Sequence, residues 1–140
     1  MSNAGRSIFV FSIYMFGVGL ILLLAPNVLL SIFGFQETHE VWIHVVGLLA
    51  FLIGVYYFLA VRADLQAFYG WTVPTRISVF VVFLAFVLLG LTSPALVLFG
   101  TIDLAGAIWT VWALRADRLE TDQFGSVHPI GAKDGFSQNP

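Results

Sequence analysis

The segment ALVLFGTIDLAGAIWTVWAL, from Ala95 to Leu114, decides the fold, because it is long, apolar and interrupted by a single carboxylate, Asp103. About 20 such residues form an α-helix that crosses the ~30 Å hydrocarbon layer of a membrane. Small residues recur around Asp103 at steps of three or four, which places them on its face of the helix: Gly100, Gly106, Ala107 and Thr110. Because an aspartate at the centre of a membrane helix costs about 2.5 to 3.5 kcal/mol, we expect this face to point at protein.

The composition assigns the whole chain to the membrane class. Of its 140 residues, 59% are hydrophobic and only 10% are charged, whereas about 25% of the residues of a soluble domain are charged. The apolar segments predict an all-α bundle of four transmembrane helices, at about residues 8–25, 41–61, 74–91 and 95–114. Between the first two, the segment from Pro26 to Phe35 predicts an interfacial half-helix with Pro26 in its first turn. We therefore predict one membrane domain over residues 1–122 and a disordered cytoplasmic tail over residues 123–140.

The basic residues predict the orientation in the membrane. All six Lys and Arg residues fall on one side of this scheme: Arg6, Arg62, Arg76, Arg115, Arg118 and Lys133. Because cytoplasmic segments are enriched in Lys and Arg, we expect both ends of the sequence in the cytoplasm and the protein in the cytoplasmic (inner) membrane. The scheme begins the third helix with Pro74 in its first turn, and Arg76 then extends to the headgroups.

Two helix ends suggest an internal repeat. AVRAD at residues 60–64 and ALRAD at residues 113–117 are similar and lie 53 positions apart (113 minus 60). The four helices can then be two hairpins related by a parallel repeat, with a chance match as the alternative. The repeat predicts two ion pairs, Arg62 with Asp117 and Arg115 with Asp64. It also predicts that a small-residue stripe on the second helix faces the fourth helix: Gly47, Ala50 and Gly54.

Three polar side chains are candidates for an intramembrane site: Asp103, His44 and Tyr56. Asp103 lies near the midplane, where this scheme offers no Lys or Arg, so we expect a protonated carboxyl in the bundle interior. It could relay protons, bind a cation or contact a ligand, or it could be held structurally by a backbone carbonyl. His44 lies near the outer interface and could reach Asp103 through a water. The Tyr56 phenol could bind a quinone or a lipid headgroup, or serve packing alone.

Catalytic and metal-binding constellations are not found in the sequence. The chain has no cysteine, which excludes thiolate metal ligands and thiol nucleophiles. A bis-histidine haem site is not expected either, because no predicted span holds two histidines. We therefore expect no cofactor and no nucleic-acid partner. Whether the protein is an enzyme stays open, but no paired acid and base supports it.

Three segments resemble a group of small bacterial four-helix membrane proteins: WIHVVG at 42–47, GVYYFLAVR at 54–62, and TVPTR at 72–76 after Phe68. The general plan is similar to that of DoxX-like proteins and covers most of residues 6–118. This resemblance implies an accessory or redox-associated membrane subunit and carries over no catalytic residue. The absence of cysteine does not fit a thiol-redox role.

Two functions follow from these observations. We expect an accessory or interaction subunit that works within the lipid bilayer, as a homo-oligomer or with a membrane-protein partner. The alternative is a protein that handles a small molecule, a quinone, a lipid or protons through Asp103. A cavity that touches Asp103 favours the alternative, whereas a tightly packed carboxyl favours the subunit.

Overall fold

The computed structural model describes residues 1 to 127, with side chains up to residue 123. This part of the chain forms five α-helices: α1 (Asn3–Leu24), α2 (Pro26–Ile32), α3 (Val41–Arg62), α4 (Gln66–Leu88) and α5 (Leu96–Val127). All except α2 are long and apolar enough to cross a membrane. The prediction of an all-α bundle with four such helices is therefore confirmed.

The short helix α2 continues from α1 after a break at Ala25. Pro26 occupies the beginning of α2, where the missing backbone N–H of proline costs no intrahelical hydrogen bond. The helix ends before Gly34, whose φ of +69° is a left-handed conformation that glycine adopts without strain. The predicted half-helix after Pro26 is thus present, and it turns the chain back toward α3.

Helices α1 and α3 form an antiparallel pair, here called the first helix pair. Their backbones approach most closely at Gly19 and Gly47, since a Cβ on Gly19 would meet the backbone of Phe51 and one on Gly47 the backbone of Leu23. Only glycine permits this approach, which gives the two helices a continuous dispersion contact. The small-residue stripe on α3 therefore faces α1. Its predicted contact with the fourth helix was wrong.

Helix α4 begins at Gln66, so the prediction that it begins around Pro74 was wrong. The connection from α3 is only Ala63 to Leu65, and Asp64 takes its left-handed turn at φ +48°. Pro74 lies inside the helix, which is tolerated in membrane helices when other groups satisfy the freed carbonyls. Beside the proline, the Thr75 hydroxyl lies within hydrogen-bond distance of two neighbouring carbonyls, Trp71 O at 3.3 Å and Thr72 O at 2.8 Å.

Helices α4 and α5 form the second helix pair, also antiparallel, and α5 packs on α1 as well. Gly100 of α5 lies against the backbone of Phe80 of α4. At the other end, the Asp117 carboxylate accepts hydrogen bonds from the backbone N–H groups of Asn3 and Ala4, both at 3.0 Å. The carboxylate of α5 thus caps the first turn of α1 and joins the two helix pairs.

The last helix extends further than predicted. It continues to Val127, so the first residues of the predicted disordered tail are helical, and the remainder, residues 128–140, lies outside the described residues. The two ion pairs predicted from the repeat do not form. Within the described side chains the only ion pair joins Arg76 and Asp103, and Asp117 serves as the cap of α1. The repeat itself stays a prediction.

Candidate functional site

A cavity of about 490 Å³ lies between the two helix pairs. All five helices contribute to its wall, which is apolar except for Tyr14, Tyr57, Thr75, Arg76 and Asp103. Ligand cavities in proteins measure about 300 to 1,000 Å³ and combine an apolar wall with a few polar groups. In both size and lining, this space resembles a ligand site.

Helix α3 lines the cavity with one face. The contributing residues recur at steps of three and four, as expected for a single helix stripe: Ile43, Val46, Ala50, Ile53 and Tyr57. At the end of the cavity beside α2, the wall is formed by apolar side chains of α1 and α2. The charged residues of the wall come from α4 and α5. The cavity is therefore polar at one place on its wall and apolar elsewhere.

Arg76 is the charged residue that the sequence analysis misplaced. Because α4 begins at Gln66, Arg76 lies ten residues (76 minus 66) into the helix, or ~15 Å at 1.5 Å per residue. It is only 2% exposed. The expectation that it extends to the headgroups was wrong, and so was the expectation that no basic residue reaches Asp103.

The guanidinium of Arg76, on α4, contacts two other helices, α5 and α1. Its Nε lies 3.9 Å from Oδ1 of Asp103, and its Nη1 donates to Thr110 Oγ1 at 3.4 Å. Its Cζ lies 3.4 Å from the centroid of the Phe11 ring, a cation–π contact that contributes more where water is excluded. The Nε and Nη2 atoms have no hydrogen-bond partner among the described residues.

Gly106 makes room for this arginine. A Cβ at position 106 would meet Nη2 of Arg76, so the absence of a side chain at Gly106 leaves the space that the guanidinium occupies. Thr110, one turn further along α5, donates to Gly106 O at 2.8 Å and lies 3.1 Å from Ser7 Oγ of α1. The predicted interior face of the fourth helix is therefore real, but its partner is a charged side chain from α4.

Asp103 is 15% exposed and lines the cavity. Its carboxylate lies beside Arg76 but accepts no hydrogen bond from any of the described residues. The prediction of a protonated carboxyl assumed that no basic residue lies close to Asp103. Arg76 contradicts that assumption, and the protonation state itself stays a prediction.

The other two candidate residues lie apart from Asp103. Nδ1 of His44 is 2.7 Å from Leu23 O, and the ring lines a separate surface cleft with Asn27 and Thr38. Tyr56 is 65% exposed on the outer surface of α3. Its neighbour Tyr57 lines the cavity instead, packed at 5.5 Å between ring centroids on Phe11.

Two signals in the sequence could have located this site. The apolar and aromatic residues before Pro74 include Phe68 and Trp71, and proline inside a membrane helix is common enough to allow a helix beginning upstream. The α3 stripe that ends at Tyr57 has helical spacing. No signal in the sequence indicates that Phe11 supplies the ring under Arg76, because that contact depends on how the helix pairs dock.

Comparisons with known proteins add no identity to this description. No protein-family model, curated protein or solved structure matches the chain.

Proposed function

We propose that this protein binds a small lipophilic molecule in the cavity between its helix pairs. The observation that carries the proposal is the cavity of about 490 Å³ that touches Arg76 and Asp103. A bundle whose only task is structural gains dispersion energy by filling such a space, since protein interiors are normally close-packed. Retaining a large cavity beside a buried charged pair favours a binding role over the accessory role.

The packing of the helices supports entry from the lipid phase. Helix α3 packs on α1 but not along α4 or α5, so a gap is left between α3 and α4. Val46 and Ile53, which line the cavity, are about half exposed. A molecule dissolved in the membrane could enter through this gap without crossing water.

The charge distribution supports an orientation with both ends of the chain in the cytoplasm. After Arg76 is assigned to the bundle interior, the remaining basic residues that the structure describes still lie toward the same helix ends: Arg6, Arg62, Arg115 and Arg118. By the positive-inside rule these ends face the cytoplasm, and the membrane is the cytoplasmic one. In this orientation α2 and Gln36 to Glu40 lie outside.

The accessory role stays a prediction, as do a homo-oligomer, a membrane-protein partner and the DoxX-like resemblance. They are compatible with ligand binding, because a protein that holds a lipophile can deliver it to a partner. Proton transfer through Asp103 is less well supported. Within the described residues the carboxylate has an ion-pair partner but no chain of hydrogen-bonding groups leading to either surface.

A hydrocarbon probe tests the proposal. The purified protein in lipid nanodiscs is irradiated with a long-chain alkyl diazirine, and labelled residues are identified by mass spectrometry. We expect labelling of cavity residues such as Met15 and Phe83. The Ala50→Phe variant places a ring in the cavity and should reduce that labelling several-fold, because the probe and the ring compete for the same volume.

The matched control is Ala105→Phe, which adds the same ring to the outer surface of α5. It should leave cavity labelling unchanged. Labelling confined to surface residues such as Val81 and Leu98, or unaffected by Ala50→Phe, would contradict the proposal.

A further inference from the structure

The hydrogen-bonding capacity of Asp103 restricts the ligand. Its carboxylate is 15% exposed, lines the cavity and accepts no hydrogen bond from the described residues, whereas polar groups largely shielded from water normally have a partner. Arg76 lies behind it at 3.9 Å, which is beyond hydrogen-bond distance. The site therefore lacks a donor on the cavity side of Asp103.

The charges at the site restrict the ligand further. A guanidinium and a carboxylate side by side are neutral as a pair, and the rest of the cavity wall is almost entirely apolar. A cationic head would leave one uncompensated positive charge at membrane depth, and an anionic head one negative charge, and each is costly there. A head with only acceptor oxygens would face the carboxylate without a proton to share.

We infer that the ligand is a neutral lipophile with a hydroxyl head, a long-chain or polycyclic alcohol, whose O–H donates to the Asp103 carboxylate. This inference rests on the proposed function. Arg76 is the positioning residue, since it balances the charge of the acceptor and holds it at the cavity wall. An oxygen at ~2.7 Å from Oδ1 can also lie ~2.9 Å from Nε, because the two atoms are 3.9 Å apart.

The proposed ligand also fits the long apolar part of the cavity. The hydroxyl occupies the one polar place on the wall, and the chain extends along the apolar faces of α1 and α3. Any part of the ligand that exceeds the cavity can leave through the gap between α3 and α4. An alcohol with one hydroxyl and a long apolar part therefore matches both the polar and the apolar parts of the cavity wall.

A series of four probes tests the head group on the unmodified protein. Hexadecanol, its methyl ether, palmitate and hexadecylamine compete with a photoreactive hexadecanol in nanodiscs, in alkaline buffer that keeps the acid ionised. We expect hexadecanol to compete about tenfold better than the ether, which accepts but cannot donate, because a hydrogen bond to a charged acceptor is strong. The ionised acid and the amine should compete no better than the ether.

Two variants test whether the Asp103 carboxylate, rather than a change in folding, causes the preference for the alcohol. Asp103→Asn keeps the shape but removes the charge, so it should lower the preference for the alcohol over the ether. Thr101→Val removes an exposed hydroxyl two residues away on α5 and should leave that preference unchanged. The preference, rather than the total binding, is the readout, so a general loss of stability does not imitate the result.

The outcomes distinguish this inference from the proposed function. Equal competition by alcohol and ether, or stronger competition by the acid or the amine, overturns the hydroxyl assignment but leaves a lipophile-binding cavity. An alkyl diazirine that never labels the cavity removes the proposed function and the inference with it.

Discussion

At the scale of single residues, Arg76 and Asp103 dominate the interior of this protein. Removing two charges from water costs several kcal/mol per ion, so a buried pair persists only where charge balance and neighbouring groups compensate. Here Phe11 lies under the guanidinium, Thr110 accepts one N–H, and Gly106 leaves the space. The contribution of each buried charge to stability should therefore depend on the presence of the other.

A double-mutant cycle with leucine tests that dependence. Asp103→Leu leaves the Arg76 charge buried without a partner and should lower the free energy of unfolding by about 3 to 5 kcal/mol. Arg76→Leu should cost less, because a carboxylate can be neutralised by a proton whereas a guanidinium stays charged. The double variant should recover much of the loss.

The measurement is the free energy of unfolding of the unmodified protein, the two single variants and the double variant, obtained by steric trapping in bicelles. Strictly additive losses would show that the two side chains are independent and that the charged pair is incidental.

At the scale of elements, close backbone contact holds each helix to its partner. Gly19 and Gly47 bring α1 and α3 together, and Gly100 brings α5 onto α4. In a membrane these contacts replace the hydrophobic effect, because apolar side chains gain little by leaving lipid for protein. The connection between the two helix pairs is more polar, and Asp117 at the end of α1 is its clearest component.

Asp117→Ala should weaken this connection. The substitution removes the acceptor of the Asn3 and Ala4 N–H groups, and loss of a helix N-cap costs about 0.5 to 2 kcal/mol. Hydrogen exchange should show faster exchange of the first-turn amides of α1.

Asp122→Ala, which changes an exposed aspartate on the same helix, is the control for Asp117→Ala and should leave exchange in α1 as it is. Unchanged protection of α1 in the Asp117 variant would show that the cap is dispensable.

At the scale of the whole molecule, most large apolar side chains point outward, as expected when the surrounding solvent is hydrocarbon. Examples from three helices are Leu48, Leu49, Val81, Val82 and Leu98. The buried interior is correspondingly polar in places, with Ser7, Thr72, Arg76 and Thr110 among its members. This pattern is the inverse of that of a soluble protein.

The proposed orientation can be checked with single cysteines, since the native chain has none. Glu37→Cys, in the exposed segment before α3, should react with a membrane-impermeant maleimide on intact cells. Ala63→Cys, in the short connection before α4, should react only after permeabilisation. The reverse pattern would place both ends of the chain outside.

The sequence by itself determined the class, the number of membrane-crossing helices and the interior face of α5. These depend on local quantities, namely apolar length and the spacing of small residues along one helix. It also predicted the α2 half-helix, because a proline at the first helical position is a local signal.

Only the tertiary structure decided what faces Asp103. A proline inside a helix and a proline at its beginning look alike in sequence, and this difference moves Arg76 from the first turn of α4 to its interior. The contacts of Arg76 with Asp103, Thr110 and Phe11 join three helices. They depend on how the helix pairs dock and on the volume left between them, which no local pattern along one helix determines.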